Sequence, residues 1–333
     1  MNQKTTAPSS TKPATAKKST DKSTAQTTRK KSADKPAKQT ASQSSEKTTA
    51  TKSAKKPINF ILFAVSQHNS RSVIDPIVII KNGKYLEPPA GDATTAQIAR
   101  FANTHYREGQ KYRLLFGGGE AGTVRIKQWN LRKTCSRTEA DVELDGEHKI
   151  SGKVMGLATN SSEIGKRLRS RRFPTDKEKS AAESLIKTLF NQKGVNSTLI
   201  KEGLTRVNLT ATDLNGDGKA ELIGTYLVKS AKAGKVAHIL FAIIEPDGKK
   251  YKVGVSQYGE ITAKDLGSEA MLNELGESAL AEVLVDQIDL DRDGTAEVII
   301  ADLTKEGVVY KIFKKTKNKW QRAYEFVNLR CPY

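Results

Sequence analysis

The sequence predicts a mainly β fold of the α+β kind, with antiparallel sheets behind a disordered basic tail. Three observations predict it. Short runs of β-branched and aromatic residues recur across residues 58–333, punctuated by Gly, Asn, Asp and Pro clusters. Helical i, i+3, i+4 stripes are few. Residues 1–57 contain no Val, Ile, Leu, Phe, Trp or Tyr at all.

The tail comes first in the chain. Of residues 1–57, 43 are Lys, Thr, Ser or Ala, and 14 basic residues face only Asp21, Asp34 and Glu46, so +11 of the chain's +19 lies here. A segment without large apolar side chains cannot offset the entropy of ordering its backbone, which predicts disorder. No apolar region of roughly 7–15 residues follows Met1, so the tail does not read as a secretory signal. Two readings stay open: a nucleic-acid or other polyanion-binding arm whose lysines release counterions, or a solvated tether. No aromatic residue is interleaved to stack on a base, which favours the tether.

Residues 58–160 form the first folded region. Ile58–Val65, Val73–Lys81, Lys111–Phe116, Gly122–Trp129, Ala140–Leu144 and Gly152–Ala158 read as strands, and Thr94–Tyr106 as the one helix. That composition describes a small antiparallel β domain. Ile58–Val65 is also the longest apolar stretch, far short of the ~20 residues of a membrane-spanning helix. Residues 161–174 read as a basic interdomain linker. Lys166, Arg167, Arg169, Arg171 and Arg172 crowd within it, forming a candidate polyanion patch or simply a solvated connection.

Residues 175–333 form an α+β region. Thr175 and Glu178 make a capping box, Ala182, Leu185, Ile186, Leu189 and Phe190 give the apolar stripe, and Gly194 ends the helix. Strands follow at Leu204–Asp213, Ala220–Lys229, Val236–Glu245, Lys250–Gln257, Glu282–Asp289, Ala296–Asp302, Val308–Lys314 and Lys319–Val327, with a further helix at Ser268–Leu275. In the last strand, strict alternation places Trp320, Arg322, Tyr324 and Phe326 on one face.

The chemistry-bearing signal is a repeated acidic loop. Asp213, Asn215, Asp217, Gly218 and Glu221 match D-x-[DN]-x-D-G-x-x-E, and Asp289, Asp291, Asp293, Gly294 and Glu297 match it again. Oxygens at positions 1, 3 and 5 can curl around a hard cation, with Gly at 6 permitting the turn. Position 7 (Lys219, Thr295) lends a carbonyl, and the later carboxylate closes the shell that calcium prefers. An EF-hand would need Glu at position 12, where Gly224 and Ile300 stand, and the flanks here are strands. An ordinary pair of Asp/Asn/Gly turns is the alternative.

A strand–DxDxDGxxE–strand unit resembles the calcium loops of FG-GAP/VCBS repeats, found in integrin-type propellers and many bacterial surface proteins. The resemblance implies that Asp213, Asn215, Asp217 and Glu221 ligate one calcium, and Asp289, Asp291, Asp293 and Glu297 another. It implies a propeller only where four or more blades are present, and two loops are found. Charge alone ranks the second loop tighter, with four carboxylates against three.

Other motifs carry less. Gly117–Val124 satisfies G-x-G-x-x-G-x-V, yet a strand follows where a dinucleotide site needs a helix, so it reads as a Gly-rich hairpin. Cys135 and Cys331 are the only cysteines and form a disulfide pair in an oxidising compartment, or stay two unrelated thiols. The leading expectation is a non-enzymatic calcium-stabilised interaction module, bacterial and extracytoplasmic, with the tail as tether and an unknown protein or polyanion as partner. One alternative is a nucleic-acid-associated protein acting through its tail. The other is a calcium-dependent hydrolase, for which no nucleophile–base pair is visible in the sequence.

Overall fold

Alternation and turn chemistry build the first region into a closed sheet. The structure, a computed structural model, describes residues 58–90, 93–129, 138–167, 170–229, 236–266, 282–303 and 307–329. The tail, Arg169, both cysteines and the helix expected at Ser268–Leu275 lie outside these residues. Strands β1 (Phe60–His68), β2 (Arg71–Lys81) and β3 (Lys84–Leu86) precede helix α1 (Thr95–His105). Then come β4 (Lys111–Phe116), β5 (Gly119–Gln128), β6 (Ala140–Gly146) and β7 (Gly156–Thr159). The order is β1-β7-β4-β5-β6-β2-β3, and β1 also pairs with β2, so six antiparallel strands close on themselves as a barrel. Closure removes the free edges that would otherwise recruit other strands.

Strand β1 is apolar without a break from Phe60 to Val65 because both of its faces are covered there. Ile61, Phe63 and Val65 fill the barrel with Ile74, Tyr112 and Leu114. Phe60, Leu62 and Ala64 point outward into a second core. Helix α1 begins with the Thr94–Gln97 capping box and lays Phe101 and Ala102 against the barrel interior.

The second region pairs two meanders. It contains α2 (Asp176–Gln192), α3 (Ser197–Gly203), β8 (Leu204–Thr212), β9 (Glu221–Lys229), β10 (Val236–Asp247), β11 (Lys250–Thr262), α4 (Ala263–Leu266), β12 (Glu282–Ile288), β13 (Glu297–Leu303), β14 (Gly307–Thr316) and β15 (Lys319–Leu329). Four strands run β11-β10-β9-β8 and four run β12-β13-β14-β15, every neighbour antiparallel. Helices α2 and α3 cover one face of the first meander through Ala182, Ile186, Phe190 and Ile200. Its other face meets the second meander, where Ile223, Phe241 and Ile243 pack on Val298, Ile300 and Phe313. The far face of the second meander packs on the barrel wall, Val285, Ile299 and Ile312 sharing a core with Phe60, Leu62 and Leu157. Both faces of β12 are therefore buried, and every residue in it is buried. The layers run helices, meander, meander, barrel.

Two expectations are corrected. Trp320, Arg322, Tyr324 and Phe326 do not share a face. Ile312 opposes Tyr324 while Phe313 opposes Arg322, so Ala323 is bulged out and the alternation inverts there. Trp320 consequently enters the core between the meanders, and Phe326 enters the core against the barrel. The connection 161–174 is not a solvated strip over its described residues. Ser170 donates to Gly117 O at 3.1 Å, Arg172 and Ala211 exchange both backbone bonds, and Ile164 is buried in the core shared by barrel and meander. Residues 55–333 form one compact unit. Among the described residues no helix is long and apolar enough to cross a membrane.

Candidate functional site

Each meander opens with the same hairpin, and each hairpin tip is one of the acidic loops. In the first, β8 ends at Thr212 and β9 begins at Glu221; in the second, β12 ends at Ile288 and β13 begins at Glu297. The side chains bond the loop's own backbone in one repeated pattern. Leu214 N donates to Glu221 Oε2 at 2.9 Å, and Leu290 N to Glu297 Oε2 at 2.7 Å. Asp217 N donates to Asn215 Oδ1 at 2.9 Å, and Asp293 N to Asp291 Oδ1 at 3.2 Å. Gly218 N reaches Asp213 Oδ2 at 2.8 Å, and Gly294 N reaches Asp289 Oδ2 at 3.1 Å. Lys219 N and Thr295 N each donate at 2.8 Å to the aspartate two residues before. Gly218 and Gly294 adopt φ +79° and +102°, which a side chain at position 6 would strain.

The carboxylates sit under electrostatic tension. Glu221 and Glu297 are 3% and 1% exposed. Burial pushes Glu221 up to about 7 against the hydrogen bond from Leu214, with Asp217 and Asp213 adding repulsion. Burial likewise pushes Glu297 up to about 8, with Asp291 adding to it and Lys314 opposing. Asp289 is raised, again chiefly by burial, and its Oδ1 is buried without a hydrogen-bond partner. Oxygen donors that repel one another at the edge of a core are the donor set a hard divalent cation satisfies. Asp289, Asp291 and Glu297 each offer an oxygen within 4.8 Å of the others, and among the described residues no such trio forms in the first loop.

The two loops touch. Ala296 N donates to Leu214 O at 2.7 Å. Arg167 bridges them, bonding Leu214 O at 3.0 Å and also Gly294 O, with Asp289 Oδ2 at 3.8 Å. Lys314, from β14, bonds Asp291 in the second loop. Neither basic residue was visible as a loop neighbour in the sequence, because strand pairing and a distant connection bring them there.

The other sequence-predicted features resolve differently. The Gly-rich turn Gly117–Gly119 cradles an anion, but the anion belongs to this chain. A bulge in β12 sets Asp286 opposite Ile299 on the barrel-facing side, and Gly117 N donates to both its oxygens at 2.8 and 3.1 Å. Gly117 and Gly118 have φ +70° and +82°, which lets successive amides point one way. Of the candidate polyanion patch, Arg171 is turned inward, 9% exposed, donating to Met155 O and Val285 O at 2.9 Å with Asp286 at 3.8 Å. Arg172 is taken by Glu178 at 2.7 Å, and Lys166 lies 3.5 Å from Glu163. Arg167 and Arg171 are drawn to backbone carbonyls of the loops, of the residue before β7 and of the β12 bulge, and Arg172 to the Glu178 carboxylate. No protein-family model, curated protein or solved structure matches the chain.

Proposed function

We propose that this protein is a non-enzymatic, calcium-stabilised binding module in which metal secures the first hairpin of a four-stranded meander. The observation that carries the reading is the repetition of four side-chain-to-backbone hydrogen bonds at matching positions in loops 76 positions apart. Asp213, Asn215 and Asp217 with Glu221 and the Lys219 carbonyl would hold one ion. Asp289, Asp291, Asp293, Glu297 and the Thr295 carbonyl are the corresponding set. Bound calcium offsets the repulsion among these carboxylates and cross-links a loop to its following strand. The donors are all oxygen, which suits calcium over softer metals, and a shell of several carboxylates and a carbonyl suits it over magnesium, which keeps most of its waters. The basic residues 1–57 serve as a tether or polyanion-binding arm to this module.

Calorimetric titration of chelator-treated full-length protein tests the reading, with melting followed in parallel. Calcium at a hundred times its dissociation constant should stabilise by ~2.7 kcal/mol for each occupied site, reversed by chelator. No heat at millimolar calcium, with melting indifferent to chelator, would reduce the loops to ordinary turns.

A further inference from the structure

The two loops share a backbone pattern but differ in what stands at the centre. Lys314 lies one step beyond the Val298–Phe313 pair, which sets it across from Glu297. Its ammonium bonds Asp291 and lies 3.6 Å from Asp293 Oδ2 and 3.4 Å from Glu297 Oε1. Glu297 gives its other oxygen to Leu290 N, so the 1%-exposed side chain is aimed at that ammonium. The same step in the first meander, beyond the Leu222–Ile244 pair, places Glu245 across from Glu221. Glu245 is committed elsewhere, accepting from Trp320 Nε1 at 2.8 Å and from Lys315. Among the described residues no lysine or arginine pairs with Asp213, Asp217 or Glu221.

We infer that Lys314 is the resident cation of the second loop, so that the protein takes one calcium, in the first loop, while the ammonium keeps the second closed to metal. Asp291 and Glu297, two of the acids the ammonium contacts, lie with Asp289 in one group of oxygens within 4.8 Å, and the counterpart of Asp291 in the first loop is the neutral Asn215. Calcium entering the second loop must expel a tethered cation whose side chain is only 22% exposed and break its contacts to three carboxylates. Arg167, 3.8 Å from Asp289, adds a second positive charge at the rim. These contacts reverse the ranking that a count of carboxylates gives, because the entering ion meets a partly neutralised loop and must displace the charge already there. At equivalent register the second meander places Lys314 where the first places Glu245.

The inference depends on the calcium reading of the loops, and one experiment separates the two. Calcium bound per full-length chain is counted by equilibrium dialysis for wild type, Asp217→Asn, Asp293→Asn and Lys314→Met. The expected counts are one, none, one and two, and the ion gained by Lys314→Met should be lost on adding Asp293→Asn. Two ions on wild type, or loss of its single ion in Asp293→Asn, overturns the inference and leaves the calcium reading standing; neither needs a Lys314 variant to fold. A count of one for folded Lys314→Met also overturns it. No ion on wild type but one on Lys314→Met supports the lysine's role and sinks the first loop as a site. No ion on either overturns both.

Discussion

Replacing Asp286 with asparagine should destabilise this protein more than any other isosteric change at the junction of barrel and meander. The carboxylate is fully buried, and the amides of Gly117, Gly118 and Gln287 point at it. Asparagine keeps one acceptor but turns an NH2 toward some of those amides, donor facing donor. It also strands Arg171, whose guanidinium, 9% exposed, would retain only neutral carbonyl partners. Removing one member of a buried charge pair costs ~3–5 kcal/mol, which for a chain of this size lowers the melting temperature by about ten degrees. The pair should also be coupled: Arg171→Met with Asp286→Asn should cost less than the two singles summed, by ~1–3 kcal/mol. Proton linkage gives a second signature. Burial raises Asp286 to about 6 despite Arg171, so the native state holds a proton that the unfolded chain has lost. Stability from this group is therefore complete below pH ~4 and lost as pH rises through about 6. Without Arg171 that window moves upward, so Arg171→Met should be worse at pH 8 than at pH 5. Urea unfolding monitored by tryptophan fluorescence measures each quantity. A loss under 1 kcal/mol for Asp286→Asn, or strict additivity in the cycle, would refute the idea that glycine amides and arginine jointly hold this acid.

Two further outcomes follow from parts already described. Glu178 is held down at about 2 by the hydrogen bond from Arg172, against burial and helped by Thr175. Its contribution is present above pH ~4.5 and lost as pH falls toward 2, so Glu178→Gln, which keeps the capping box, should cost ~1 kcal/mol at neutral pH and nothing at pH 2. An unchanged acid-unfolding profile by circular dichroism would contradict this. Deleting residues 1–57, which offer no large apolar side chain to a core, should leave the melting temperature unchanged; a fall of many degrees would mean that the segment packs.

What the sequence discloses here is what local chemistry decides. The Asp/Asn/Gly spacing located both loops, and β-branched runs located the strands, because turn conformation and strand preference are settled within a few residues. The Thr175–Glu178 capping box fixed the start of α2 for the same reason. Barrel closure was hidden, since it depends on β7 (Gly156–Thr159), four residues pairing with strands some fifty and one hundred positions away. The bulge at Ala323 was hidden because alternation gives no sign of where it slips. Lys314 looked like one more strand lysine until register set it across from Glu297. Arg171 looked like part of a charged connection, although the buried acid and the carbonyls around it lie as far off in sequence as Asp286.

The position of the second meander has a consequence for how the chain is made. Phe60, Leu62 and Ile77 form the outer wall of the barrel, and their covering comes from strands beginning at Glu282. A ribosome delivers the barrel first, so that wall stays uncovered while the chain grows from the end of β7 at Thr159 to the start of β12 at Glu282. During that interval the nascent protein carries an apolar patch whose covering strands have not yet emerged. A message cut short before β12 would yield a closed barrel with a permanently sticky side, a product fit for chaperone capture or degradation rather than release. The strands from Glu282 onward thus act as a seal on the first folded region.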